Sequence, residues 1–136
     1  MRALPIAGLV PARLLLLSLA LLALGGMGCS DPASGSRAVS SAELSCASLE
    51  ADGLWQSAPL DGSCPLIEFE ALTTLEIPHP LGAPPQVVLV YVSFVPGGLP
   101  AVLAAGDMAR IEGISTESVL IRNATEQPLF ARVVLR

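Results

Sequence analysis

Residues 87–95 (VVLVYVSFV) constrain the fold more than any other stretch of the chain. Nine strand-favouring residues lie between Pro85 and Pro96-Gly97-Gly98. β-branched and aromatic side chains fit a pleated surface, and the run is short for a helix. Its apolar character, interrupted only at Ser93, predicts a central strand covered on both faces.

The flanking segments repeat the strand theme. Ile67, Phe69 and Ala71 alternate with Glu68 and Glu70, and Leu75 and Ile77 continue the period around Glu76. Residues 78–85 (PHPLGAPP) read as an irregular connection, because proline lacks the donor a ladder needs. Weaker strands are predicted at 101–105 and 108–111, about a Gly106-Asp107 turn. Residues 119–123 and 129–135 predict a C-terminal hairpin with Val119 opposite Val133, around a loop at 124–128. That register puts Ile121, Asn123, Leu129 and Ala131 on one face and Arg122, Arg132 and Arg136 on the other. The predicted class is therefore mainly β: a small antiparallel β-sandwich or partly open barrel.

The N-terminal side has weaker order. Residues 43–50 (ELSCASLE) predict a short helix capped by Ser40 or Ser41. Residues 51–65 read as loop, with Asp52-Gly53 and Asp61-Gly62 as turn signals. Residues 30–42 (SDPASGSRAVSSA) are small and polar and read as a flexible tether, with Val39 the sole hint of an early strand. This divides the chain into a signal segment at 1–28, a cysteine and tether at 29–42, and one β-rich domain at 43–136.

The division rests on the start of the chain. Arg2 and Arg13 precede an eleven-residue apolar run at 14–24 (LLLLSLALLAL), followed by Gly25, Gly26, Met27, Gly28 and Cys29. Basic, apolar and small segments in that order form the secretory pattern. As a helix the run reaches roughly 16 Å, about half the hydrocarbon thickness of a bilayer, so a cleaved signal is predicted and a permanent span is not. The stretch ending at Gly28-Cys29 resembles the start of bacterial lipoprotein precursors, with Gly26 departing from the bulky apolar residue usual there. The resemblance covers only the first 29 residues. It implies a lipid on the Cys29 sulfur, cleavage before that cysteine, and membrane attachment through the lipid. Ser30 stands where an aspartate would imply inner-membrane retention, so the resemblance implies the outer membrane of a bacterial envelope. Ordinary signal cleavage near residues 26–28, leaving Cys29 as a thiol, is the other outcome these residues allow.

Three cysteines fit the lipid reading. In an oxidising compartment Cys46 and Cys64 can pair, and Cys29 is then the odd one that lipidation accounts for. Neither inner cysteine has the nearby His or Cys partners of a zinc site. Cleavage after Gly28 would leave five arginines against twelve acids, moving the net charge from −5 to −7. That acidity argues against binding nucleic acid, whose phosphates demand clustered cations.

Few residues invite chemistry. His79 is the only histidine, set between two prolines, and is read as a surface or packing residue. Glu68, Glu70 and Glu76 read as a solvated face, with a carboxylate pair for glycan hydrolysis as the rival use. Asp52 and Asp61 do not follow the calcium-loop pattern, so no metal or cofactor is expected. Trp55 is the only tryptophan; packing against the bridge is favoured over an aromatic contact platform. Asn123-Ala124-Thr125 matches the N-glycosylation triplet but reads more simply as hairpin-loop chemistry. Arg122, Arg132 and Arg136 form a candidate face for an acidic partner or lipid headgroups, against the simpler reading of a solubilising surface. The expected function is a non-catalytic binding or structural role in the envelope. The alternatives are a glycan-directed hydrolase and an inhibitor or accessory subunit of an envelope complex.

Overall fold

The computed structural model describes residues 35–136; the signal segment at 1–28 and Cys29 lie outside the described residues. Alternating apolar residues build short strands throughout: β1 (Ser36–Ala38), β2 (Ser48–Leu49), β3 (Trp55–Gln56), β4 (Ile67–Phe69) and β5 (Thr74–Pro78). They are followed by β6 (Val88–Ser93), β7 (Val102–Leu103), β8 (Arg110–Ile114), β9 (Ser118–Arg122) and β10 (Leu129–Leu135). One sheet runs β1-β5-β9-β8, the other β2-β3-β10-β6-β7, with β4 also pairing β10. The fold is a small two-sheet β-sandwich and not a closed barrel. Every pairing is antiparallel except β1 with β5.

The inner faces meet in one core. β5 and β9 contribute Leu75, Ile77, Val119 and Ile121; the opposite sheet contributes Phe69, Val90, Val92 and the odd-numbered residues of β10. Alternation in β4 and β5 is as predicted, with Glu68 and Glu76 exposed between buried neighbours. The two strands enter different sheets because the chain turns at Leu72, which has a positive φ of 56°.

β10 is the strand covered on both faces, a place the sequence pattern assigns to residues 87–95. One edge of β10 pairs with β6; the other pairs with β4 at Leu129–Ala131 and with β3 at Val134–Leu135. Between those partners residues 58–66 leave the ladder, and Ser57 covers the gap. Its N–H donates to the Val133 carbonyl at 2.9 Å, and its hydroxyl accepts from the Val133 N–H at 3.0 Å. β6 instead alternates: Val90 and Val92 are buried, Leu89 and Tyr91 half-buried, and Phe94 and Val95 beyond its end exposed.

The C-terminal hairpin does not form. β9 pairs β5 and β8, whereas β10 lies in the opposite sheet. The odd-numbered residues of both strands do face the core, but from opposite sides. The cause is Asn123, fully buried, whose amide pulls the intervening loop inward. Its Nδ2 donates to the carbonyls of Phe69 (3.2 Å), Glu70 (3.1 Å) and Gln127 (2.8 Å). Its Oδ1 accepts from the Thr125 N–H and hydroxyl. The segment is thus an arch between sheets. Likewise 101–105 and 108–111 do not pair with each other: β7 borders β6, β8 borders β9, and a 3-10 turn at Gly106–Met108 joins the sheets.

Three N-terminal expectations change. The predicted tether at 29–42 does not extend over residues 36–39, because β1 pairs parallel to β5 and Val39 enters the core, its N–H bonded to the Glu76 carbonyl at 2.9 Å. The predicted helix at 43–50 is only a turn. Ser40 and Glu43 bond reciprocally as in a capping box, but the chain straightens into β2 at Ser48. The loop at 51–65 contains β3. Its two turn signals hold, with Gly53 and Gly62 at φ of 83° and 75° and the Asp52 and Asp61 carboxylates accepting backbone N–H groups two residues on. Cys46 and Cys64 form a disulfide, as expected.

Candidate functional site

The residues singled out from the sequence do not converge. Trp55 is 2% exposed, part of the core cluster and not a contact platform. Its neighbour Gln56 and the loop that follows β3 lie over the outer face of β10, and that places Arg132. This arginine is 4% exposed. Its Nε donates to the Ala58 carbonyl, and Nη2 donates to Gln56 Oε1 at 2.5 Å. The guanidinium also sits 5.4 Å from the centroid of Tyr91, its cross-strand neighbour. Burial pushes it below its ordinary value, with Tyr91 acting in the opposite sense. Nη1 finds no partner. Arg132 therefore pins the excursion between β3 and β4 onto the sheet. The adjoining cavity, lined by Gly62, Cys64, Leu66, Gly98 and Leu99 among others, has room for about one water molecule.

The predicted arginine face is divided. Arg122 belongs to the other sheet, half-buried and 3.9 Å from Glu112. Arg132 is buried, and Arg136 is exposed at the end of the chain. Both reasons trace to the arch: once β9 and β10 occupy different sheets, their even-numbered residues point away from each other.

The carboxylates are dispersed as well. Glu68 lies on β4 in one sheet, Glu76 on β5 in the other, and Glu70 in the turn between. Glu76 accepts from the Ser118 hydroxyl at 3.2 Å. A surface groove does bring Glu43 and Glu68 together with Ala42, Pro65 and Leu66. The sequence pattern offers Glu43 only as the start of a helix; its place here comes from Arg37. Arg37 Nη1 bonds Glu43 at 2.9 Å, while Nη2 bonds the Glu68 carbonyl at 2.6 Å. Partial burial works to raise the Glu43 carboxyl, but the Ser40 N–H and hydroxyl and the Arg37 guanidinium outweigh it and hold it below the usual carboxylate range. A carboxyl held ionised is poorly placed to donate a proton to a leaving group.

This geometry has a pH signature. Because the folded value lies below the free one, the stability Glu43 contributes is present above the ordinary carboxylate range and is lost as pH falls through the folded value. Wild type should be more stable than Glu43→Gln near neutrality, and the two should converge in urea titrations as pH falls below the lowered folded value. A gap that persists in acid would contradict the assignment.

His79 continues the inward alternation of β5 past its end and is 7% exposed, with neither ring nitrogen bonded. Packing is the part it plays; its backbone N–H holds the Glu117 carbonyl at 2.9 Å. Among the described residues no cluster of three or more His, Cys, Asp or Glu side chains is placed to hold a metal ion, and no helix is long and apolar enough to cross a membrane. The unforeseen surface feature is apolar. Leu60, Phe94, Val95, Leu99, Val102 and Leu103 are all exposed, Phe94 at 66%. No family model, no curated protein and no solved structure matches this chain.

Proposed function

We propose that the chain is exported and held by a lipid on Cys29 at the outer membrane of a bacterial envelope, where its sandwich domain has a non-catalytic binding or structural role. The observation that carries the reading is the cysteine accounting. The Cys46–Cys64 bridge uses two of the three cysteines, and the remaining one stands directly after the signal-like segment. A bridged loop suits an oxidising compartment. The non-catalytic part is supported by the dispersal of Glu68, Glu70 and Glu76 over two sheets and a turn, and by the locked state of Glu43.

The catalytic alternative is open to direct assay. The purified protein, screened on envelope glycans, is expected to give no turnover. Turnover abolished by any one of Glu68→Gln, Glu70→Gln or Glu76→Gln would overturn the non-catalytic reading. Crosslinking in intact cells, followed by identification of the captured species, then reports what the domain touches.

A further inference from the structure

We infer that the hairpin loop joining β6 to β7 is a membrane-docking edge, resting on the bilayer to which Cys29 is attached. This rests on the anchor reading above and adds to it a second contact made by the folded domain.

Exposed loops are ordinarily polar, and contiguous apolar surface on a small domain marks an interaction site. This loop is the reverse of polar. Val92 pairs with Val102 across it, and the residues between include the exposed Phe94, Val95 and Leu99. Leu60 joins them from the disulfide-bridged loop, since it lines the same small cavity as Leu99. The whole stretch between Glu76 and Asp107 contains no Asp, Glu, Lys or Arg, in a chain whose net charge is −5. The exposed Phe94, Val95, Leu99, Val102 and Leu103 are thus all carried by the chain's long uncharged stretch. The β6–β7 loop can enter the headgroup boundary without desolvating a charge of its own.

The bilayer is favoured as occupant by where the tether leaves the domain. The Gly35 carbonyl accepts from the Thr74 N–H at 2.8 Å, and Thr73 accepts from the Asn123 N–H at 3.0 Å. Asn123 bonds the Phe69 carbonyl, Phe69 pairs with Leu129, and Phe130 pairs with Ser93, the residue before Phe94. These short steps place the tether exit and the Phe94 loop at the same end of the sandwich. Five residues lie between Cys29 and Gly35, and the six steps from one to the other reach at most about 20 Å when fully extended. A lipid on Cys29 therefore keeps that end near the bilayer, whereas the loop at Glu117, beside Pro78 at the far end of β5, points the other way. A lipid chain and an apolar loop acting together hold more firmly than either alone.

Tryptophan quenching reads this contact. The full chain, with its leader, is produced in an exporting bacterial host, purified in detergent and placed in phosphatidylcholine vesicles with or without brominated acyl chains. Phe94→Trp and Glu117→Trp are compared, with buried Trp55 as the common background. The inference expects brominated lipid to quench the Trp added at position 94 by about twofold and to leave the one at 117 unchanged. Palmitate labelling of the same preparations is read separately. No label on Cys29 overturns the anchor reading and this inference with it. Label present with position 94 unquenched, or with 94 and 117 quenched alike, overturns this inference alone. A dimeric mass with position 94 shielded in the absence of lipid would identify a second copy as the occupant and overturn it too.

Discussion

Replacing Cys46 and Cys64 together by serine is expected to lower the stability of the domain by about 3 kcal/mol, from the closure entropy of a loop whose ends are 18 residues apart. That is a large fraction of the ~5–15 kcal/mol available to a small domain. The loss should also have a place. The bridge ties the turn before β2 to the loop before β4, and between them lie two strands of only two residues each. Those strands carry Trp55 into the core and Gln56 to Arg132. Hydrogen exchange should therefore quicken first at residues 46–58, while β5 and β9 keep their protection until global unfolding. Urea melts of the oxidised wild type and the double variant measure the global term. A difference under about 1 kcal/mol would mean that the loop is held by packing and not by the bridge.

Asn123→Ala should cost at least as much, about 3 kcal/mol or more. The variant deletes the amide that serves three carbonyls and the oxygen that serves the Thr125 N–H and hydroxyl. Each buried polar group left without a partner costs about 1–3 kcal/mol. Thr125→Ala removes only the hydroxyl, which bonds Asn123 Oδ1 and, at 3.3 Å, the Gln127 backbone, and should cost about 1 kcal/mol. If the two variants proved equally mild in denaturant melts, the arch would be held by the packing of β9 and β10 and not by Asn123.

The arch also shows where a sequence pattern stops being informative. In a hairpin and in an arch alike, residues 119, 121, 129, 131, 133 and 135 face the core, so parity cannot separate them. What separates them is the buried amide of Asn123, and a triplet that reads as loop chemistry carries no sign of its burial. The consequences spread: with β9 and β10 in different sheets, Arg122, Arg132 and Arg136 cannot form one face. The strands from β4 onward, the mainly β class, the two Asp-Gly turns and the disulfide were legible, because they depend on local periodicity, turn residues and the pairing of two cysteines. The short β1 was legible only as Val39, since a three-residue strand in polar sequence owes its order to the neighbour it pairs with. Arg132 defied its residue type: a charge is rarely buried, and here the Ala58 carbonyl, Gln56 and Tyr91 stand in place of a carboxylate.

The apolar run at 87–95 was legible as a strand but not as a surface. Its first residues alternate into the core, while Phe94 and Val95 pass beyond the last rung of the ladder and into solvent. Hydrophobicity alone assigns the whole run to the interior. The exposed end becomes meaningful once Gly35, where the described residues begin, is seen at the same end of the sandwich.

The central claim is attachment through Cys29, and one comparison tests it most directly. Wild type and Cys29→Ala are expressed with the leader intact in a bacterial host fed labelled palmitate, and membrane and soluble envelope fractions are separated. Wild type is predicted to carry the label and to sediment with the membrane, while Cys29→Ala carries none and appears in the soluble envelope fraction. Wild type without label, or Cys29→Ala retained in the membrane as fully as wild type, would contradict the account.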